Sequence, residues 1–233
     1  MKISVNSLPE INPGKHSIKD PRLDEVDGIT KAKKRTYVQV EVVDEKGALD
    51  CDGIIAAKDS RTDLILKDLE FVETRLSRTA DEAEKTVLNK FKAALEKEEF
   101  VSTVALDEAQ KKIIAAFGLY TLRPVTVAQP QELEDINALL ARCLRESGYI
   151  SFFTTGEKET RAWLIKKGTT AWEAAGTIHS DIQQGFIRAE IISFADFISC
   201  GGESRAKQAG KLRLEQKEYV MQDSDLVNFR FNK

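Results

Sequence analysis

The stretch Ser151-Phe-Phe-Thr-Thr155, followed by a Gly-Glu-Lys turn and by Thr160-Arg-Ala-Trp-Leu-Ile165, decides the fold of the last third of the chain. Two strand-like runs separated by a few turn residues that include a glycine predict a β-hairpin. Beyond the hairpin, Thr170 precedes Glu173 by three residues, which is the spacing of a helix capping box. The sequence therefore predicts a hairpin and then a helix.

The rest of this region continues the pattern. The helix carries Trp172, Ala175, Ile178 and His179 on one stripe, which predicts that this stripe, including His179, lies in the core. A third strand is expected over Ile187–Phe194, then two short helical pieces, and a last strand over Leu226–Phe231, where alternate residues are apolar. This order is typical of a small α+β domain in which one sheet covers one main helix, and the ubiquitin-like β-grasp is the candidate.

These residues resemble the TGS domain of the YchF/Obg-like ATPase family. The similar blocks are Phe153–Trp163, Ala174–Asp181, Gly185–Glu190, Ala206–Lys211 and Asp225–Phe231. They occur in order and cover about a third of the chain. In that family the chemistry resides in a separate nucleotide-binding domain, so this resemblance alone implies no catalytic activity.

Composition places few limits on function. The chain has 233 residues and a formal net charge of −3, so bulk charge implies no polyanionic partner. Its three cysteines, Cys51, Cys143 and Cys200, have no paired spacing, which favours a reducing compartment over a disulfide framework. No apolar run approaches the ~18 residues that span a bilayer, and the N-terminus lacks an apolar signal core. We expect a cytoplasmic protein without a membrane partner.

Gly14-Lys15 near the N-terminus invites comparison with a phosphate loop, in which N–H groups, a lysine and a hydroxyl hold phosphates and magnesium at the start of a helix. The comparison is poor, because Pro9 stands where the first glycine is needed and His16 where Ser or Thr is needed. Pro13 removes a further N–H donor. The alternative, a turn between a strand and an extended segment, fits the sequence better.

The family resemblance resumes at Asp20-Pro-Arg-Leu-Asp24, which is similar to the segment after the first switch region. The alternating run Lys34–Asp44 predicts a single strand. In the family this strand ends in an Asp-x-Ala-Gly motif near the magnesium site. Here the motif is Asp44-Glu-Lys-Gly47, and the glycine-rich switch that should come next is missing. Asp44 is thus a candidate magnesium ligand or an ordinary carboxylate at a strand end.

Residues 62–98 have helical periodicity interrupted by Ser77-Arg-Thr-Ala-Asp81, which predicts an antiparallel helical hairpin. The resemblance relates it to a shortened form of the family's coiled-coil insertion. Its charged residues form either a solvated helix face or a nucleic-acid-binding arm.

A further helix is expected after Asp107, with Gln110 completing its cap, followed by a strand over Tyr120–Ala128. In the family this strand leads to an Asn-x-x-Glu motif that reads adenine. Here the sequence is Gln129-Pro-Gln-Glu132, so Glu132 is retained and the asparagine is not. A helix containing Leu133, Ile136, Leu140 and Cys143 should come next and end near Gly148.

The sequence thus predicts an α/β plus α+β protein: a reduced P-loop-GTPase-like α/β domain over residues 1–150, with the helical hairpin at about 62–98, and a ubiquitin-like β-grasp (TGS) domain over 151–233. Three altered motifs remove donors for phosphate, magnesium and base. This pattern favours a non-catalytic interaction or regulatory protein that needs no cofactor and has no metal site and no catalytic residues.

Two alternatives stay open beside that expectation. One is residual binding or slow hydrolysis of ATP or GTP with Mg²⁺ by Lys15, Asp44 and Glu132, which requires the three to converge on one pocket. The other, an unrelated enzyme site, has little support because His16 and His179 are the only histidines. The expected partner is a protein, a ribosome or RNA, bound through the TGS domain, and a homodimer is a further hypothesis. Six basic residues could form the partner-binding face: Lys166, Lys167, Arg205, Lys207, Lys211 and Arg213.

Overall fold

The protein is described here by a computed structural model that covers residues 1–232. The chain divides into two compact units. The first unit contains Met1–His16 and Val40–Ser147, and the second contains Ser17–Gln39 and the chain from Gly148 onward. The chain thus changes unit at 16/17, at 39/40 and at 147/148. The assignment of residues 1–150 and 151–233 to two domains stays a prediction.

The strands are, in chain order, β1 (Lys2–Asn6), β2 (Gly14–Ile18), β3 (Arg35–Thr36), β4 (Val38–Val43), β5 (Gly53–Ala56), β6 (Val125–Val127), β7 (Tyr149–Thr154), β8 (Thr160–Lys166), β9 (Phe186–Ile192), β10 (Arg213–Glu215) and β11 (Leu226–Phe231). The α-helices are α1 (Pro21–Thr30), α2 (Ser60–Arg78), α3 (Glu82–Leu95), α4 (Glu108–Ile114), α5 (Ile136–Glu146), α6 (Ala171–Ile178), α7 (Ser180–Gln184), α8 (Phe194–Cys200) and α9 (Glu203–Gln208). Three short 3₁₀ helices at Glu45–Asp50, Val101–Thr103 and Pro130–Glu134 complete the described part.

The sheet of the first unit has the strand order β2-β4-β1-β5-β6. β1 pairs in parallel with β4 on one side and with β5 on the other, and β5 pairs in parallel with β6. The central register places Ile3 opposite Val42 and Gly53. Every residue of β5 is buried, as expected for a strand covered on both faces.

The single strand predicted over Lys34–Asp44 is in fact two strands in different sheets. β4 alternates buried Val38, Val40 and Val42 with exposed polar residues and joins the first sheet. β3 pairs instead with β8 of the second unit. A continuous alternating pattern specifies extended backbone but not which sheet each part joins, so the break at Tyr37 is invisible in the sequence.

The helical hairpin is present as α2 and α3, which pack along each other. Asp81 caps α3 by accepting hydrogen bonds from the backbone N–H groups of Ala83 and Glu84. The hairpin shares one apolar core with the segment that leads to β6. Its buried members are Ile65, Val72, Val87, Leu88, Phe91, Leu95, Val101, Ile114 and Leu119.

A buried carboxylate ties α2 to the segment before β6. Asp68 is fully buried, and its two oxygens accept hydrogen bonds from the backbone N–H groups of Tyr120 and Thr121, both at 2.7 Å. The strand predicted over Tyr120–Ala128 is limited to β6, because these two N–H groups bond to Asp68 rather than to a strand.

In the second unit the sheet has the order β10-β9-β11-β7-β8-β3. β7 and β8 form the predicted hairpin, β11 lies parallel to β7, and β9 lies antiparallel to β11. Helix α6 begins with the predicted capping box between Thr170 and Glu173. Its buried alanines pack on the sheet in a core with Phe152, Ile191 and Phe229.

Two members of the predicted buried stripe, Trp172 and His179, are not core residues. Trp172 is 43% exposed, since the face of α6 that packs on the sheet is made of Ala171, Ala174 and Ala175. The second, His179, lies at the end of the helix. Its side chain is 61% exposed and its Nδ1 accepts a hydrogen bond from the backbone N–H of Asp181, which caps α7. The helical stripe ends one residue earlier at Ile178, because His179 has extended backbone angles.

Helix α1 is absent from the sequence prediction, although its start signal is in the sequence. Asp20 accepts a hydrogen bond from the Arg22 backbone N–H, and Pro21 occupies the first turn, where its missing N–H costs nothing. The Arg22 guanidinium also lies 2.6 Å from a carboxylate oxygen of Asp223, which helps to join α1 to the rest of the second unit. In the described residues, no helix is long and apolar enough to cross a membrane.

We predict that Asp68→Asn destabilises the first unit by about 1–3 kcal/mol, because one of the two buried N–H groups would face an NH₂ donor and lose its acceptor. Chemical denaturation measured by circular dichroism tests this. Glu70→Gln on the exposed side of the same helix is the control and should change stability by less than about 0.5 kcal/mol. Equal effects from the two substitutions would contradict the anchoring role of Asp68.

Candidate functional site

The carboxyl ends of β1, β4, β5 and β6 meet at one edge of the first sheet, because these strands are parallel. Open sheets of this kind bind ligands at that edge, near the strand where the order of connection reverses. β1 is that strand, since the chain continues to β4 on one side and later to β5 on the other. The edge beside β1 is therefore the place to look for a site.

A surface groove of about 390 Å³ lies there. Its floor is largely apolar, and its polar groups are the Ser7 hydroxyl, the Asn12 amide and the carboxylates of Asp44 and Glu45. We call it the carboxyl-edge groove. Its complete lining is Val5, Ser7, Leu8, Pro9, Ile11, Asn12, Pro13, Val43, Asp44 and Glu45.

Asp44 directly follows β4 and caps the 3₁₀ helix Glu45–Asp50. One of its carboxylate oxygens accepts a hydrogen bond from the backbone N–H of Lys46 at 3.1 Å. Its backbone carbonyl accepts a hydrogen bond from the Ser4 hydroxyl at 3.0 Å, which links β4 to β1 at this edge. The side chain is exposed and lines the groove, and carboxylate oxygens are ligands that Mg²⁺ accepts.

The segment after β1 has the geometry of a turn. Ser7 has a positive φ of 55°, and the Ile11 N–H donates to the Leu8 carbonyl at 3.2 Å. The chain then enters β2, in which Lys15 is exposed. A phosphate loop needs a helix here to direct N–H groups at the anion, and residues 7–18 of the described chain form none.

The end of β6 holds Glu132 in a local network. Glu132 accepts hydrogen bonds from the Gln129 backbone N–H and from the Arg142 guanidinium, both at 2.8 Å. Arg142 also bonds to the Val127 carbonyl and to Glu146. Burial acts to lower the pKa of Arg142, but the bonds to Glu146 and Glu132 outweigh burial and raise it. Glu132 is thus held by Arg142 as a structural partner.

The structure does not bring Lys15, Asp44 and Glu132 into one pocket. Lys15 lies on β2 and Glu132 follows β6, and these strands are the two edges of the sheet. Four strand spacings separate them, or about 19 Å. Asp44, beside the central strand, is the one of the three that lines the groove.

The groove suits some parts of a magnesium nucleotide and not others. Its carboxylates are ligands that Mg²⁺ prefers, and its apolar floor can take a base or sugar. Among the described residues that line it, none is cationic, so the two charged side chains that bare phosphates would meet, Asp44 and Glu45, both repel them. The residues therefore fit the metal and the nucleoside, while the N–H cradle of a phosphate loop is not formed.

Sequence inspection missed Ser7, Asn12 and Glu45 as groove residues. Ser7 begins the turn that follows β1, and Glu45 is next to Asp44. The available signal was the pair of short apolar strands that precede them, since parallel strands bring the loops at their carboxyl ends to a common edge.

The six basic residues proposed as a partner-binding face separate into two groups on the second sheet. Lys166 and Lys167 lie at the end of β8. The ammonium group of Lys166 is 5.7 Å from the centre of the Tyr149 ring. The other four lie in the segment 205–213, on α9 and at β10, which is the opposite edge of the sheet. Within this segment Arg205, Lys207 and Lys211 are all exposed, and Lys211 pairs with Asp196 at 3.2 Å.

Comparison with known proteins matches this chain to one family. The family model YchF-GTPase_C, described as a protein of unknown function (DUF933), matches residues 149–232. A ribosome-binding ATPase YchF from Bacillus subtilis (strain 168) is 35% identical over 235 residues, covering 73% of this chain and 64% of that protein. The chain belongs to the YchF family.

A second YchF sequence and one solved YchF structure are also similar to this chain. The ribosome-binding ATPase YchF of Escherichia coli O157:H7 is 56% identical over 82 residues, which cover 35% of this chain and 23% of that protein. The solved structure of the Schizosaccharomyces pombe YchF GTPase has a TM-score of 0.78 at 18% identity and covers 99% of this chain and 97% of that one. This likeness confirms the α/β fold. The chain spans 64% of the length of the B. subtilis relative.

These comparisons correct two of our expectations. The expectation of a non-catalytic interaction protein is wrong, because its YchF relatives are named as ATPases and a GTPase. The expectation that no cofactor is needed is wrong for the same reason. The findings support the alternative, a nucleotide-binding protein, better than the main expectation.

Proposed function

We propose that this YchF-family chain binds ATP or GTP together with Mg²⁺ at the carboxyl-edge groove, and that any hydrolysis is slow. The observation that carries the proposal is the position of Asp44, which lies beside the strand where the connection order reverses and lines the groove. The ATPase and GTPase names of its relatives support it.

Each part of the groove has a role in this proposal. Asp44, assisted by Glu45, holds Mg²⁺, which offsets the repulsion between these two carboxylates and the phosphates. Val5, Ile11 and Val43 contact the nucleoside. Binding is weak because no cradle of backbone N–H groups donates hydrogen bonds to the phosphates.

We further propose that the second unit is a TGS-type β-grasp domain that associates with the ribosome in the cytoplasm. The β7–β8 hairpin, the crossing helix α6 and the parallel pairing of β11 with β7 support the fold. The YchF relatives named as ribosome-binding support the partner. Self-association of the chain stays a prediction.

Isothermal titration calorimetry with ATP and with GTP tests the nucleotide proposal. With Mg²⁺ we expect a Kd below about 1 mM. Asp44→Asn should weaken Mg²⁺-dependent binding by about tenfold, since one charged contact is lost, while asparagine still caps the 3₁₀ helix. Asp50→Asn, at the exposed end of the same 3₁₀ helix, is the matched control and should bind as the parent does.

Two results would contradict the proposal. One is no heat of binding at millimolar nucleotide with Mg²⁺. The other is binding that Asp44→Asn and Asp50→Asn leave equally unchanged, which would place the nucleotide elsewhere.

Ribosome association is tested by co-sedimentation in increasing salt. We expect Arg205→Glu with Lys207→Glu to reduce the bound fraction several-fold, because exposed cations contact phosphates. The matched control is Lys158→Glu with Lys217→Glu, two exposed positions of the second unit outside the six predicted partner-binding residues, which should pellet like the parent. The proposal fails if neither pair changes sedimentation or if the control pair alone does.

A further inference from the structure

A surface groove of about 590 Å³ lies in the second unit, beside the turn between α8 and α9. The carboxyl end of α1 and the turn between β7 and β8 form its other walls. We call it the second-unit groove. Its volume is in the range of sites that hold small molecules. It shares no lining residue with the carboxyl-edge groove.

The charged residues that line the second-unit groove carry both signs. They are Glu157 in the turn between β7 and β8, and Glu203 and Arg205 on α9. All three are exposed, and none forms an ion pair with another residue of the described chain. Glu203 and Arg205 are two positions apart on one helix, so their side chains do not face each other. The groove therefore presents two carboxylates and one guanidinium that are not paired with one another.

The carboxyl end of α1 adds negative potential to one wall of the groove. Ile29 and Thr30 are the last two residues of this helix, and both line the groove. The free carbonyl groups at the end of a helix carry partial negative charge. Lys31, which follows the helix, does not line the groove. The helix end and the two glutamates favour an ammonium group, whereas the guanidinium favours a carboxylate.

The turn between α8 and α9 has a shape that glycine permits and other residues rarely adopt. Gly202 is buried with a φ of 121°, and Gly201 before it has a φ of 73°. A Cβ atom at Gly202 would lie 3.1 Å from Cγ2 of Ile29, and one at Gly201 would lie 3.1 Å from a guanidinium nitrogen of Arg205. The two glycines thus let the turn approach these side chains closely. Because the groove is formed in advance, a ligand loses less affinity to ordering the turn.

We propose that the second-unit groove binds a small zwitterion with an apolar side chain, of the type of an amino acid or a dipeptide. The ammonium group binds the two glutamates and the end of α1, and the carboxylate binds Arg205. The apolar side chain contacts Ile29 and Phe197, which also line the groove. A ligand with phosphate groups would meet two carboxylates and one guanidinium. A simple cation would leave Arg205 without a partner.

Isothermal titration calorimetry of the full chain with L-leucine and with leucyl-leucine tests the proposal. We expect a Kd below about 1 mM for at least one of them, and the tighter one indicates the distance between the charged groups. The amide of that compound lacks the carboxylate, and its N-acetyl derivative lacks the ammonium group. Each derivative should bind at least about tenfold more weakly than the zwitterion, because one charged contact is lost.

Variants assign each charged group of the ligand to its partner. Arg205→Gln should weaken binding of the zwitterion by about tenfold and should not weaken binding of the amide. Glu157→Gln with Glu203→Gln should weaken the zwitterion by at least as much and should not weaken the N-acetyl derivative. The matched controls, Lys207→Gln and Glu218→Gln, change exposed residues that do not line the groove and should bind as the parent does.

The control at Lys207 also separates this groove from the predicted partner-binding face, to which both Arg205 and Lys207 belong. Circular dichroism on each variant confirms that the fold is retained. The proposal is overturned if neither probe gives heat at millimolar concentration, or if the amide and the N-acetyl derivative bind as tightly as the zwitterion. It is also overturned if the control variants weaken binding as much as the groove variants.

Discussion

The parallel pairing of β1 with β4 and β5 is the constraint on which the rest of the first unit depends. It places the ends of these strands at one edge, where Asp44 and the turn after Asn6 form the carboxyl-edge groove. Adjacent parallel strands cannot be joined by a tight turn, so the chain must leave the sheet and return between β1 and β4. This connection first forms β2 at the edge of the same sheet and then carries α1 and β3.

Because of that crossover, segments of the two units alternate along the sequence. Residues 17–39 belong to the second unit, although residues on both sides of them belong to the first. Ion pairs and backbone pairing hold them there, through Arg22 with Asp223 and through β3 with β8. Neither unit is therefore a single continuous segment, and removing the C-terminal third would leave α1 and β3 without their partners.

Local signals in the sequence predicted much of this fold. The capping boxes at Thr170 and Asp107, the α2–α3 hairpin and the β7–β8 hairpin depend on neighbouring residues, and the structure contains them. Features that depend on long-range contacts could not be predicted. These are the division of the alternating run 34–44 between two sheets and the separation of Lys15 from Glu132. The function was misjudged because altered motifs were taken as loss of binding, whereas a groove lined by Asp44 still lies at the sheet edge.

Hydrogen exchange measured by mass spectrometry, with and without magnesium nucleotide, tests the central claim most directly. If the nucleotide occupies the carboxyl-edge groove, backbone amides in residues 7–13 and 44–50 should exchange more slowly at saturating ATP or GTP, because these segments line and support the groove. The hairpin helices should exchange as before. Slower exchange confined to other segments, or unchanged exchange at saturation, would contradict the assignment of the groove as the nucleotide site.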